Sequence, residues 1–203
     1  MSDPKHAGFH RLFVALPVPR TVKAEIEKGL SELRNALPDV AVRWTRREHF
    51  HLTLRFLGNV AIDQIDALTN KLRLACRAFD PLQVRAAGIG FFPERGFPRV
   101  IWTGVLNKDK QLSALQSAIQ SATMEFTTER AEKEFASHIT LGRARKIRRC
   151  EAEILTRFAE KMRNRVFGEW TANNVELFRS ELLPDGAHHT LMNTTPFGSQ
   201  DSS

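Results

Sequence analysis

Hydrophobic positions along this chain fall into two rhythms. Apolar or alternating runs of strand length occur at 9–19 (FHRLFVALPVP), 49–58 (HFHLTLRFLG), 82–92 (LQVRAAGIGFF) and 99–106 (RVIWTGVL), then at 135–145 (FASHITLGRAR), 170–183 (WTANNVELFRSELL) and 188–197 (HHTLMNTTPF). Between them, apolar residues recur at steps of three and four, the signature of one buried helix face. One set is Val22, Ile26, Leu30, Leu33 and Leu37, and a second is Ile65, Leu68, Leu72, Cys76 and Phe79. A third is Leu112, Leu115, Ile119, Ala122 and Phe126, and a shorter helix is predicted around Ile154, Leu155, Phe158 and Met162. Pro17 and Pro19 end the first strand, since proline has no N–H to give a ladder. The turn-rich PERGFP predicts a hairpin between the third and fourth strands, and PDG predicts another near the end. Short strands joined by hairpins, with helices between some of them, predict an α+β domain built on antiparallel sheets rather than a parallel doubly wound one. Each half repeats the order strand, helix, strand.

Composition narrows the field. A chain of 203 residues can bury a substantial core as one domain, here expected to be two-lobed, with residues 1–8 and 198–203 as loose tails. Thirty lysines and arginines against 23 acidic residues leave a net charge of +7, which favours a polyanionic partner such as RNA or a phosphorylated metabolite. Cys76 and Cys150 are too few for a disulfide framework, and Cys76 lies on an apolar helix face as a core residue. No charged-then-apolar leader opens the sequence and no apolar run approaches the ~18 residues of a membrane span, so a cytoplasmic location is expected.

Two of the strands carry unexpected chemistry. HLTL at 51–54 returns as HITL at 138–141. Side chains two apart on a strand share a face, so His51 and Thr53 point one way together, as do His138 and Thr140, while Leu52 and Ile139 point the other. One such pair is most simply a histidine satisfied by its neighbour. Two pairs converging on one cleft supply an acid and a base near neutral pH, with two hydroxyls to hold phosphoryl oxygens between them. That set can break a phosphodiester, a strained cyclic one especially, without a metal.

With these segments in view the chain resembles the 2H phosphoesterases and, within them, the bacterial-type RNA 2′,3′-cyclic phosphodiesterases, also called 2′-5′ RNA ligases. The likeness rests on RLFVALPVP, HFHLTLRFLGNV, FFPERGFPRVIWTGV, SHITLGRAR and VELFRSELLPDGAHHTL, and spans nearly the whole chain. It implies a bilobal fold of two antiparallel sheets with helices outside and a central cleft to which each lobe brings one motif. It also implies His51 and His138 as catalytic residues, Thr53, Thr140 and Arg143 as substrate contacts, no cofactor or metal, and a monomer. The substrate it implies is an RNA or nucleotide end bearing a 2′,3′-cyclic phosphate, opened to a 2′-phosphate with possible reversal to 2′-5′ ligation. His51 is favoured as the acid on the departing 3′ oxygen and His138 as the base on water, although sequence does not order the two. A phosphodiesterase for another small cyclic phosphate and a non-catalytic RNA-binding module remain alternatives. Two departures stand out: Ser137 replaces the proline usual before the second motif, and His189 replaces a tyrosine.

Strand parity makes further statements that the fold can test. It turns Arg143 away from the histidine face unless Gly142 marks a bulge or the strand ends there. It places Arg55 on the histidine face, where a solvated arginine at a strand end is expected, and places Phe56 in the core. RARKIRR at 143–149 is either a solvated loop or a guide for an RNA backbone. His49 is expected at the surface, and His6, His10 and His188 have no evident partner; none of the spacings matches a common zinc motif.

Overall fold

The structure is a computed structural model that describes residues 8–37, 41–94, 96–131, 134–145, 147–183 and 186–198. The described residues form nine strands and four α-helices. In chain order these are β1 (Phe9–Pro17), α1 (Arg20–Ala36), β2 (Val42–Trp44), β3 (His51–Ala61), α2 (Ile65–Cys76), β4 (Leu82–Phe92) and β5 (Val100–Asn107). There follow α3 (Gln111–Thr123), β6 (His138–Ala144), α4 (Arg149–Met162), β7 (Val166–Ala172), β8 (Asn174–Leu183) and β9 (Gly186–Pro196). None of the described helices is long and apolar enough to cross a membrane.

Every strand pairing is antiparallel, in the order β7-β4-β5-β6-β3-β1-β8-β9, with β2 added against β6. The two expected sheets are present as two halves of one curled sheet. They join at a single assigned pair, Leu52 of β3 with Ile139 of β6. The join lies inside both motifs, between histidine and threonine in each.

The helices bury the faces their periodicity marks out. Val22, Ile26, Leu30 and Leu33 of α1 are buried, as are Leu68, Leu72 and Cys76 of α2 and Leu112, Leu115 and Ile119 of α3. Each such leucine or isoleucine removed from water contributes roughly 1.5–3 kcal/mol before conformational entropy is charged against it. Helix α1 leaves β1 and packs on β7 and α4, whereas α2 and α3 pack together against β9 and β3, so each half of the sheet is backed by a pair of helices. The wholly buried Cys76 has its thiol pushed up to about 12 by that burial, which leaves it an inert core residue. α4 begins with a reciprocal cap, in which the Glu151 carboxylate accepts from the Arg148 backbone N–H at 2.8 Å.

Two strands depart from the sequence reading. β2 is three residues long, too short to show a period, and the run WTANNVELFRSELL is divided at Asn173 between the end of β7 and the whole of β8. The predicted turn PDG includes Pro184 and Asp185, which lie outside the described residues, but the hairpin it serves is present as the Leu183–Gly186 end of the β8–β9 ladder.

Candidate active site

Both histidines are held in the same way. His51 Nδ1 lies 2.8 Å from the carbonyl oxygen of His49, and His138 Nδ1 lies 2.6 Å from the carbonyl oxygen of Ala136. A carbonyl can only accept, so in each ring Nδ1 carries the proton and Nε2 is left with its lone pair free to take or return one. The holding carbonyl belongs, in each case, to the residue two positions upstream. His51 Nε2 in turn stands 3.1 Å from Thr53 Oγ1. Continuing the antiparallel register from Leu52 and Ile139 sets His51 across from Thr140 and Thr53 across from His138.

Register shifts re-aim the residues that come after each motif. Ala15 pairs with Thr53 and Val14 with Arg55, leaving Leu54 as the extra residue of a bulge. Trp102 pairs with Thr140 and Ile101 with Gly142, leaving Leu141 as the extra residue of another. The bulges occupy the same place, directly after the threonine, and each reverses the face on which later residues stand. In the second motif this brings Arg143 round to the cleft that Thr140 lines, so the parity objection to Arg143 falls. In the first it corrects two expectations. Arg55 is no solvated end residue: it is 2% exposed and donates to the carbonyls of Arg130 and Glu129 at 2.7 and 2.8 Å. Phe56 is no core residue: it is 47% exposed and lines the cleft. A second shift in the β1–β3 ladder leaves Leu57 as the extra residue just before Gly58, whose φ of +65° suits glycine and whose missing Cβ leaves room for the Glu129 carboxylate, 2.8 Å from where that atom would be.

The cleft has a volume of about 450 Å³. Its wall includes His51, Thr53, Thr140 and Arg143, joined by Arg11, Arg43 and Arg46, and among the described residues it carries no carboxylate. His138 stands at the head of β6, with Phe92 edge-on at 5.1 Å and Trp102 at 6.3 Å between ring centroids. It opens beside the cleft rather than forming its wall.

A cluster that sequence reading missed surrounds His51. Phe13 stacks on it, and His189 meets it edge-on at 5.6 Å, with His49 a further 5.0 Å from His189. His188 lines the same wall. These rings come from β1, β9 and the turn before β3, so only the pairing of distant strands assembles them; the run HH at 188–189 was the one local hint. Burial is the main cause that drives the His51 imidazole down to about 4, helped by the neighbouring His189, Lys23 and His49 and opposed by the bond to the His49 carbonyl. His189 is likewise pushed down to about 4, by burial first and then by His49 and His188. His10 bonds the carbonyl of Phe9 at 3.2 Å, and His6 lies outside the described residues. In the basic run, Arg145, Arg148 and Arg149 are exposed, and Arg148 and Arg149 pair with Glu151 and Glu153; Lys146 lies outside the described residues. Among the described residues no three His, Cys, Asp or Glu side chains gather closely enough to hold a metal ion.

Comparison with known proteins bears on this geometry. The family model of the LigT-like phosphoesterases matches residues 16–102. An RNA 2′,3′-cyclic phosphodiesterase of Methanothermobacter thermautotrophicus is 30% identical over 184 residues, covering 90% of this chain and 96% of the relative. One from Archaeoglobus fulgidus is 30% identical over 176 residues, covering 87% and 94% respectively. The crystal structure of TT0787 of Thermus thermophilus superposes with a TM-score of 0.74 at 25% identity, over 94% of this chain and 99% of that one.

Proposed function

The chain belongs to the LigT-like phosphoesterases of the 2H superfamily and is a cyclic phosphodiesterase; from that premise we propose that it opens RNA ends carrying a 2′,3′-cyclic phosphate by two-histidine acid–base catalysis. The observation that supports this reading best is the duplicated holding of the two imidazoles. Each has its Nδ1–H on a carbonyl two residues back, each is followed by a hydroxyl on its own face, and the two meet in antiparallel register at Leu52 and Ile139.

The cyclic phosphate lies between the motifs, its non-bridging oxygens received by the Thr53 and Thr140 hydroxyls and by the Arg143 guanidinium. His138 Nε2 takes a proton from water as the water oxygen bonds to phosphorus. The bond from phosphorus to the 3′ oxygen breaks, and His51 gives its Nε2 proton to that oxygen, leaving a 2′-phosphate and a 3′-hydroxyl. In the empty cleft His51 is neutral near pH 7, because its cation is held down to about 4. It therefore takes up its proton together with the substrate, whose phosphate is the first negative charge to enter that wall. With a 5′-hydroxyl in place of water, the same steps in the same direction join RNA through a 2′-5′ bond, and their reversal cleaves it. The cleft is furnished by one chain, which fits a monomer, and RNA ends as substrate fit action in the cytoplasm.

Incubation with a nucleoside 2′,3′-cyclic phosphate and analysis of the monoester formed tests the reading. A 2′-phosphate is expected, with turnover unaffected by prolonged chelation. A 3′-phosphate would reverse the assignment of the leaving oxygen, and no turnover of mononucleotide or oligonucleotide cyclic phosphates would leave an RNA-binding module instead.

A further inference from the structure

The cleft holds more positive charge than one cyclic phosphate uses. Arg43 of β2 and Arg143 of β6 are direct partners across an antiparallel ladder, both are exposed, and both line the cleft. Like charges set directly opposite one another on neighbouring strands repel. Among the described residues neither guanidinium has a carboxylate within ion-pairing distance, although Arg34, Arg85, Arg148, Arg149, Arg165 and Arg179 all do. An uncompensated cross-strand pair of this kind, forked donors facing one space, is complementary to an anion that both can hold.

Position carries this pair away from the threonines that hold the scissile phosphate, Arg143 reaching back toward it and Arg43 standing farther off. Along β6, Arg143 lies three residues beyond Thr140. At ~3.3 Å per residue that is about 10 Å, less what the bulge takes up. The Arg43 backbone is carried on a different strand, β2, which pairs with β6 only beyond the motif, at residues 142–144. In an RNA chain the next phosphate lies one nucleotide from the cyclic end, a separation of the same order. A volume of about 450 Å³ has room for more than a phosphoryl group.

We propose that Arg43, together with Arg143, forms a subsite for the phosphodiester on the 5′ side of the terminal nucleotide, so that the enzyme selects the end of an RNA chain over a free nucleoside cyclic phosphate. This rests on the reading of the cleft as the site for cyclic phosphate ends. Arg143 serves both phosphates, whereas Arg43 serves only the second and takes no part in the proton transfers.

The test compares kcat/KM for three probes: a nucleoside 2′,3′-cyclic phosphate, a dinucleotide with the same cyclic end, and that dinucleotide with an uncharged methylphosphonate linkage. The native enzyme is expected to prefer the charged dinucleotide to the mononucleotide by about tenfold, the worth of one charge-assisted contact, and to lose most of that preference on the methylphosphonate. Arg43→Gln, at an exposed position where folding is not at stake, should lower kcat/KM for the charged dinucleotide about tenfold more than for the mononucleotide. It should add little to the loss on the methylphosphonate, and its effect should lie in KM rather than kcat. Arg43→Lys should recover part of it. Equal losses on mononucleotide and dinucleotide, or no preference in the native enzyme, would overturn the subsite while leaving the catalytic reading intact; failure of the native enzyme on all three probes would sink both.

Discussion

Phe13 lies against His51 with ring centroids 4.9 Å apart and planes inclined by 26°, and Phe178 stacks on Phe13 in turn at 5.2 Å. The stack and the bond from Nδ1–H to the His49 carbonyl together leave the imidazole one orientation, with Nε2 beside Thr53. Phe13→Leu keeps most of the buried volume and removes the flat face. With an aromatic pair worth ~1 kcal/mol beyond its area, kcat should fall about threefold to tenfold with KM little changed. Equal loss in kcat with Phe13→Tyr, which keeps the face, would show that the stack does not orient the ring.

The proposed mechanism uses both imidazoles. His51→Ala and His138→Ala should each lower kcat by on the order of 10²–10⁴-fold, with circular dichroism and the unfolding midpoint showing an intact fold. Thr53→Val and Thr140→Val should act more mildly, each removing one donor to the phosphoryl oxygens. A bell-shaped profile alone does not order acid and base, because exchanging their roles gives the same curve. The residual limbs of the single variants do. With His51 as the acid, the remaining kcat/KM of His138→Ala falls as pH rises through about 4, and His51→Ala loses that falling limb. The opposite slopes would exchange the two roles.

Stability should carry the same signature. The folded His51 ionises at about 4, below the unfolded value of ~6.5, so between these pH values the unfolded chain binds more protons. Stability is therefore full above the unfolded value and declines as pH falls through this window, by on the order of 3 kcal/mol once the shift is complete. Urea unfolding at a series of pH values would show it, with a shallower decline in His51→Ala. A stability independent of pH across that window would mean that the imidazole is far better solvated than its position implies.

Arg55 ties the first motif strand to the segment that leads into the second. Its guanidinium spans the carbonyls of Glu129 and Arg130, and Thr127 Oγ1 donates to the Leu57 carbonyl at 2.6 Å beside it. Arg55→Met would strand two carbonyls at a buried site, at a cost of roughly 1–3 kcal/mol for each left unpaired. The urea midpoint should drop accordingly. A midpoint equal to that of the native protein would show that water replaces the guanidinium there without penalty.

All four helices were legible because each packs one stripe of apolar side chains, and a stripe survives in the sequence whatever it packs against. The motif residues were legible because chemistry repeated itself: His51 with Thr53 and His138 with Thr140 lie on the same strand faces that a period of two assigns. That period failed at Arg55, Phe56 and Arg143 for one reason, the inserted Leu54 and Leu141, since a bulge is a property of two strands and leaves no mark on the one that carries it. Burial of Leu54 and Arg55 in succession is its trace in the fold. The gathering of His49, His188 and His189 around His51 was illegible for a related cause, because it depends on β8 pairing with β1 and β9 with β8.

The bulges also give the cleft a polarity. Position by position the two halves are near equivalents: a carbonyl at 49 or 136 holds the ring, a phenylalanine at 13 or 92 touches it, and an extra leucine comes after the threonine. Exchange of the halves would keep a held imidazole and a hydroxyl on each side, although the two differ in their surroundings, His51 being enclosed by Phe13 and His189. The equivalence breaks five residues after each histidine, where one half turns the Phe56 ring into the cleft and the other turns in the Arg143 guanidinium. A strand of RNA has a charged edge and an edge of flat bases. An RNA end bound as proposed would offer phosphate to Arg143 and an apolar face to Phe56 in one direction only, so that the direction of the chain would be read by the residues at which the symmetry of the two motifs ends.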